Sequence, residues 1–344
     1  MIQVTCTHCG LRVLVPSTVQ GRSGVCFGCG APMQVPIMSG NDPLAELRFK
    51  TGDRVADRYV IDLEIGRGGM GVVYKAHDDL IDEAVALKFM NPRTLSTQRG
   101  QQLFIREAQI ARRLRHENIV SVHDVSSTAE GVLYLSMEFL QGAPLRAYLR
   151  RNRNARKLVE VRLAIDLTLK ILLALEYAHR YVVHRDLKPE NVMLLSGERV
   201  KVLDFGLAVA EEDNAAEAVV SPDKPKKLVG TVAYAAPEQH RHQAVDFRAD
   251  LYSVGLILRE LLTLRTPIDE QISLMDARTD IAPSVVAVVD KSLNMEKERR
   301  WQSAREFHDA LKTAYDESYR RRTFVESAAE GAEAGSTEDM GYLE

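Results

Sequence analysis

Residues 184–191 read "HRDLKPEN". His184, Arg185, Asp186, Lys188, Glu190 and Asn191 put basic, acidic and amide groups within a single turn. Pro189 in their midst removes a backbone donor, so the stretch is a loop and not a helix interior. It follows the apolar pair Val182–Val183. Such a stretch is either a solvated charged turn or a chemical site, and residues elsewhere in the chain decide which.

Upstream, "IGRGGMGVVYKA" supplies Gly66, Gly68 and Gly71 in a G-x-G-x-x-G spacing, followed by Val73. Alone this is a weak signal that could be a dinucleotide-binding turn. In that unit a helix starts at the glycines. Here Val72, Val73 and Tyr74 follow, so the spacing predicts two strands joined by glycines. Such a hairpin can close over phosphates because no side chain intervenes. In "AVALKFM", alternation puts Val85, Leu87 and Phe89 on one strand face and Ala84, Ala86 and Lys88 on the other. A lysine beside small alanines suggests a charge pointing into a cavity; the alternative is a snorkelling surface lysine. In "LFIREAQIARRLRHENIV", Phe104, Ala108 and Ala111 form a helical stripe that also carries Glu107. A buried carboxylate needs a facing cation, and Lys88 is the expected one. An exposed Glu107 beside Arg106 or Arg112 is the alternative. In "KVLDFGLA", Asp204 ends an apolar strand before Phe205 and Gly206. A carboxylate there suits a metal ligand, and the Asn191 carbonyl could join it on Mg²⁺.

With these residues in view, the chain from about Arg58 to Leu311 resembles a bacterial eukaryotic-like (Hanks-type) serine/threonine protein kinase. The stretches "IGRGGMGVV", "VALK", the helix glutamate, "HRDLKPEN", "DFG", "GTVAYAAPE" and "DLYSVG" stand in the family's order. The resemblance implies an α+β, bilobal protein-kinase fold, with a small antiparallel sheet plus one helix and a larger helical lobe. It implies a transferase moving the ATP γ-phosphoryl group to Ser/Thr hydroxyls of proteins, with autophosphorylation as part of the expectation, in signal transduction. By the same resemblance, Asp186 accepts or positions the substrate hydroxyl proton, and Lys188 neutralises charge on the transferring group. Lys88 holds the α/β-phosphates and pairs with Glu107. Asn191 and Asp204 hold Mg²⁺ (or Mn²⁺). Ile65, Gly66, Arg67, Gly68, Gly69, Met70 and Gly71 cover the nucleotide. Val73, Ala86 and Met193 sandwich the adenine against the backbone of Glu138 to Leu140, with Met137 behind. Arg185 points at the activation segment, His184 packs behind Phe205, Asp250 anchors the catalytic loop, and Glu238 pairs with Arg300. Thr231 hydrogen-bonds near Asp186. The lysine of "DLKPEN" and the "GT" of "GTVAYAAPE" resemble Ser/Thr rather than tyrosine kinases.

The front of the chain carries a different signal. All four cysteines lie there, as Cys6-x-x-Cys9 and Cys26-x-x-Cys29, the spacing of a four-thiolate zinc site. Short alternating strands flank them. So short a segment would draw its folding energy from the metal. Two disulfides or four free thiols are the alternatives. The pattern resembles bacterial zinc ribbons, which bind nucleic acid, a protein partner or a neighbouring domain. Arg12 and Arg22 are the only Lys or Arg residues in the first 36, which argues against nucleic acid. We expect a zinc-ribbon domain at 1–37, a linker at 38–50, a protein kinase domain at 51–315 and an acidic tail at 316–344.

Composition narrows the class further. A charged content of 27% and a net charge of −3 over 344 residues fit a soluble globular chain with no overall nucleic-acid footprint. The N-terminus lacks a signal-peptide pattern. The longest apolar stretch, "VRLAIDLTLKILLALEYAH", is interrupted by Arg162, Asp166, Lys170 and Glu176, so it reads as an amphipathic helix rather than a membrane span. The expectation is a cytoplasmic protein whose partners are ATP and protein substrates, with no membrane.

Two departures from the family stand out. Between Gly206 and Gly230 the only hydroxyl is Ser221. Either Ser221 is the autophosphorylation site, or Glu211, Glu212 and Asp213 supply the negative charge that Arg185 needs. After "LLTLRTP" the chain leaves little room for a substrate-docking helix. From Thr323 onward the tail has six acids and no Lys or Arg, a composition that predicts disorder.

Overall fold

A computed structural model describes residues 2–5, 12–15, 23–25, 29, 31–34, 47–69, 71–92, 95, 97–205, 231–241, 243–269 and 272–318. It divides into two compact units, Met1–Arg48 and Phe49–Glu344.

The first unit holds two separate antiparallel hairpins. Strand β1 (Ile2–Thr5) pairs with β2 (Arg12–Val15), and β3 (Ser23–Val25) pairs with β4 (Pro32–Gln34). Each connection carries one Cys-x-x-Cys pair: Cys6 and Cys9 between β1 and β2, Cys26 and Cys29 between β3 and β4. Cys6, Cys9 and Cys26 lie outside the described residues; Cys29 sits on an exposed turn.

The second unit begins with β5 (Arg54–Val55), β6 (Tyr59–Gly68), β7 (Gly71–Asp78) and β8 (Glu83–Met90). Helix α1 (Gln98–Arg113) then precedes β9 (Val122–Ser127) and β10 (Leu133–Glu138). The six strands form one antiparallel sheet in the order β5-β6-β7-β8-β10-β9. Both faces are buried. On one, Ala86, Leu135 and Met137 pack against Phe104, Ala108 and Ala111 of α1. On the other, Phe89 and Tyr74 meet edge to face and Phe49 lies against both, with centroids 4.7 Å from Phe89 and 5.5 Å from Tyr74. The Phe49 N–H donates to the Tyr74 hydroxyl at 3.2 Å. The last residues of the expected 38–50 linker thus belong to the second unit, because the sheet's aromatic face needs a cover. Helix α1 starts where the Thr97 hydroxyl accepts the Gly100 N–H and ends on Arg112 and Arg113, which complement the carbonyl end of the helix.

The remaining elements are mostly helical. Strand β11 (Gly142–Pro144) leads into α2 (Leu145–Ala155) and α3 (Val161–Ala178). Strands β12 (Val192–Leu195) and β13 (Val200–Val202) complete a small sheet with β11. Then follow α4 (Pro237–His240), α5 (Arg248–Thr263), α6 (Leu274–Ala277), α7 (Pro283–Ser292) and α8 (residues 304–318). The helical end therefore continues past residue 315. Leu251, Val254, Leu258 and Leu261 of α5 are all fully buried, and with Ile165, Ile171 and Leu172 of α3 they form the core of this lobe. A helix buried on most sides inside a lobe is a rigid post, and α5 and α3 carry the loop that follows α3. The two lobes are joined by backbone as well as packing: the Val120 N–H donates to the Val202 carbonyl at 3.0 Å, and the Val202 N–H to the Asn118 carbonyl at 2.8 Å. The fold is α+β and bilobal. Among the described residues no helix is long and apolar enough to cross a membrane.

Candidate active site

The loop 184–191 runs between α3 and β12 and is held from below. Asp250, in the first turn of α5, accepts the backbone N–H groups of His184 and Arg185, each at 2.8 Å, and pairs with His179 at 2.9 Å. Burial alone would raise the Asp250 carboxyl, but the His179 hydrogen bond and charge, with His184, outweigh it and hold it below its ordinary range. The His184 ring lies 4.8 Å from Phe205 and donates Nε2–H to the Leu203 carbonyl at 2.8 Å. Arg185 adopts φ 64°, a left-handed conformation that costs an L-residue energy and survives only where surroundings dictate it. Here the paired anchors on Asp250 dictate it.

Above that anchor, three side chains converge. The Lys188 ammonium donates to Asp186 Oδ2 at 2.6 Å, and Asn191 Nδ2 donates to the Asp186 carbonyl at 2.8 Å. The Asn191 amide nitrogen is thereby spent on Asp186, which leaves its oxygen as the group able to bind a cation. The loop's Glu190 is bound by Arg146 of α2 at 2.8 Å. Arg146 also donates to Glu260 at 2.6 Å and to the Tyr234 hydroxyl at 2.5 Å. Neither Arg146 nor Glu260 was evident from sequence: they lie 44 and 70 residues from Glu190, and the Arg146 guanidinium joins the two carboxylates.

Across the cleft stands Lys88 on β8, only 6% exposed. Its ammonium lies 2.7 Å from Asp204 Oδ1. Asp204 follows β13 at φ 60°, which turns its carboxylate toward β8. Burial would raise this carboxyl, but Lys88, with His184 and Lys188, holds it below its ordinary range. The expected Lys88–Glu107 pair is not seen among the described residues. Glu107 is buried on the inward stripe of α1, as its periodicity predicts. Among the described residues, however, Lys88 makes its ion pair with Asp204 and not with Glu107. Helical periodicity fixes a side chain's face and not how far the whole helix stands from a neighbouring strand.

The glycine hairpin forms as expected, with Gly68 opposite Gly71 and Val73 opposite Lys88. Gly71 has no alternative: a Cβ there would meet the Phe89 carbonyl oxygen at 1.9 Å. At Gly68 and Gly69 a Cβ would meet nothing within 4 Å, so the bare backbone faces open space. Asn91 donates to the Gly69 carbonyl at 2.9 Å and ties the loop tip to the end of β8. Arg67 is bound to Glu64 at 2.6 Å, and Ile65 is exposed. Met70 lies outside the described residues.

Ala86, opposite Met137, is buried beside Lys88, and Leu140 packs on the same cluster. Met137 borders a small apolar cavity with Leu135, Ala111 and Phe205. Glu138 accepts from Lys201 at 2.6 Å and from the Ser121 N–H at 2.6 Å, and donates its own N–H to the Ser121 carbonyl. The connecting strand is thus braced by a residue, Lys201, that no local pattern singled out. Met193 stands on β12 opposite Pro144 and Lys201. Beyond the cleft, Arg300 makes paired bonds to Glu238 at 2.8 and 2.7 Å, as the resemblance implies. Ser221 and residues 211–213 lie outside the described residues, as does the Thr231 side chain.

A bare glycine hairpin, a buried lysine on the facing strand and an Asp–Lys–Asn cluster on an anchored loop define a two-lobed ATP-dependent phosphotransferase. Comparison with known proteins places it further. The model for the protein kinase domain matches residues 59–330. A probable serine/threonine-protein kinase of Streptomyces coelicolor, SCO3848, is 35% identical over 84% of this chain and 42% of its own length. Pkn1 of Myxococcus xanthus is 33% identical over 92% of this chain and 46% of its own. PrkC of Bacillus subtilis is 31% identical over 77% and 42%. This chain therefore spans less than half the length of these relatives. Among solved structures, the Mycobacterium tuberculosis PknI kinase domain superimposes with a TM-score of 0.63 at 27% identity, covering 78% of this chain and all of that domain.

The chain belongs to the protein kinase family. It carries a serine/threonine protein kinase domain, the enzyme class that phosphorylates proteins on Ser and Thr.

Proposed function

We propose that this protein as a whole is a working serine/threonine protein kinase that uses ATP and Mg²⁺ (or Mn²⁺), autophosphorylates, and acts in signal transduction. The observation that carries the reading is the intact set Lys88, Asp186, Lys188, Asn191 and Asp204, drawn together across one cleft. A nucleotide-binding scaffold without catalysis would not need Asp186 and Lys188 bound to each other.

The residues present fit the nucleotide and its metal. The open backbone at Gly68 and Gly69 suits phosphate oxygens. The Asp204 carboxylate and the Asn191 oxygen form the hard donor set that Mg²⁺ takes. When bound, the metal neutralises charge on the phosphate oxygens. Lys88, now on Asp204, holds the α/β-phosphates. Asp186 orients the acceptor hydroxyl and takes its proton as oxygen bonds to phosphorus and the bond to ADP breaks. Lys188, fixed to Asp186, balances charge that develops on the transferring group. Val73, Ala86, Leu140 and Met193 border the adenine beside the Glu138 backbone. Arg185 reads the activation segment, through Ser221 phosphate or through the acids at 211–213. Ser221→Ala abolishes activity in the first case and leaves it intact in the second.

For the front unit we propose a zinc ribbon. Its support is that each Cys-x-x-Cys pair lies in the connection of its own hairpin, so each hairpin offers two thiolates from a turn. Bound zinc would supply the folding energy that so short a unit lacks. A cytosolic setting, where thiols stay reduced, agrees with this. The ribbon's partner would be a protein or the kinase domain, and not a membrane or nucleic acid.

Intact mass after incubation with Mg·ATP, beside an Asp186→Asn control, tests the kinase. Phosphoryl additions in the unmodified chain alone support it; none in either chain would leave a scaffold. Native mass with one zinc, lost on substituting Cys26, tests the ribbon.

A further inference from the structure

A roomy groove among the described residues lies outside the cleft, on the helical lobe. It measures about 430 Å³, within the range of ligand-binding pockets. Three basic side chains border it, His240, Arg241 and Arg259, and no carboxylate does among the described residues. Its apolar surface comes from Leu256, Leu293 and Met295, the last 56% exposed. Arg259 is committed to the Ile272 carbonyl. His240 and Arg241 are exposed, and among the described residues their side chains make no hydrogen bond or ion pair. The Arg241 guanidinium, with the His240 ring as a further polar group beside an open apolar groove, fits a peptide that mixes acids with apolar side chains.

The chain contains such a peptide. Residues 338–344 read "EDMGYLE", three acids interleaved with Met340, Tyr342 and Leu343, and no base occurs from Thr323 onward. Reach is adequate. Residue 318 of α8 lies beside the start of α7, where the Ser318 hydroxyl is 3.1 Å from that of Ser284. Leu293, at the other end of α7, borders the groove. A ten-residue helix is about 15 Å long. A random-coil chain of twenty residues would span about 25 Å root-mean-square, enough to bring residue 338 to the groove. Tethering at that length gives an effective concentration in the millimolar range, so even a weak contact would be well populated.

We propose that this groove is the intramolecular docking site of the acidic-apolar segment 338–344. The proposal concerns binding and stands whether or not the chain transfers phosphate.

The test uses a labelled synthetic peptide of residues 335–344 and fluorescence anisotropy. The chain shortened after Ala334 binds it, and the full chain binds it at least about tenfold more weakly because its own segment competes. Arg241→Glu in the shortened chain lowers affinity by about tenfold or more at low salt, less at high salt. A peptide with Glu338→Lys and Asp339→Lys regains binding to that variant. His240→Glu serves as a second variant should Arg241→Glu unfold. Absent binding to the shortened chain, equal binding to Arg241→Glu, or equal binding to full and shortened chains would overturn the proposal. So would competition that appears only on concentration-dependent dimerisation of the full chain, which would make the occupant a second copy.

Discussion

Two buried acid–base pairs in this molecule share one separation and differ in everything else. Lys88–Asp204 spans the cleft at 2.7 Å, and Arg300–Glu238 ties the helical lobe, also at 2.7 Å. The Arg300 pair is closed. Its guanidinium makes two bonds to Glu238, reaches the Asn294 and Arg248 carbonyls, and lies 4.9 Å over the Tyr252 ring. Its side chain is 0% exposed. The Lys88 pair is a single contact between a point charge and a carboxylate that is 20% exposed and stands on left-handed backbone. A planar, five-donor cation suits a permanent joint, and a compact ammonium suits a partner that changes. Equal distance therefore conceals unequal roles: one pair holds the lobe together, the other keeps charge in place for a substrate.

Substituting each cation breaks or confirms that contrast. Lys88→Met should lower phosphorylation on the order of a thousandfold while moving the melting temperature by no more than about 2 °C. A melting shift as large as the one at Arg300 would erase the distinction. Arg300→Met leaves the Glu238 charge buried and should cost about 3–5 kcal/mol in denaturant unfolding, with activity falling only as folded protein is lost.

Acid sharpens the comparison within the structural pair. Burial would raise the Glu238 carboxyl, but the Arg300 hydrogen bond and charge hold it below its ordinary value. A depressed folded carboxyl contributes stability that is complete above the unfolded value of about 4.3 and is lost as pH falls through the folded value. Unfolding free energy should therefore drop below about pH 4, and Glu238→Gln should flatten that limb in a pH series of chemical denaturation. The smallest effect belongs to a third pair at 2.7 Å, Arg305–Glu176, where the arginine is 66% exposed. Arg305→Ala should change stability by no more than about 0.5 kcal/mol; a larger loss would mean that distance matters more than burial.

Particular residues show how far the sequence could be read. Gly66, Gly68 and Gly71 followed by Val72 and Val73 implied a hairpin, because glycines at that spacing before β-branched residues cannot open a helix, and the hairpin is there. Leu251, Val254, Leu258 and Leu261 recur at helical spacing in the sequence, and all four are buried. Glu107 lies on the buried face its periodicity predicts, while among the described residues Lys88 pairs with Asp204 instead. Phe49 fell within a stretch rich in Gly, Asn, Asp and Pro that reads as linker, yet it covers the aromatic face of the sheet. Arg146 and Lys201 carry no local signal, since each matters only through residues more than forty positions away.

What the sequence by itself determined is local: which residues alternate, which repeat at helical spacing, where glycine and proline interrupt, and hence which loop carries Asp186, Lys188 and Asn191. Hydrophobic periodicity and turn chemistry act over a few residues, so they can be read from a few residues. Only the tertiary structure decided that Lys88 reaches Asp204 and that Arg146 closes on Glu190 and Glu260. Those pairings depend on where whole helices and strands come to rest, and that is settled by the packing of many side chains at once.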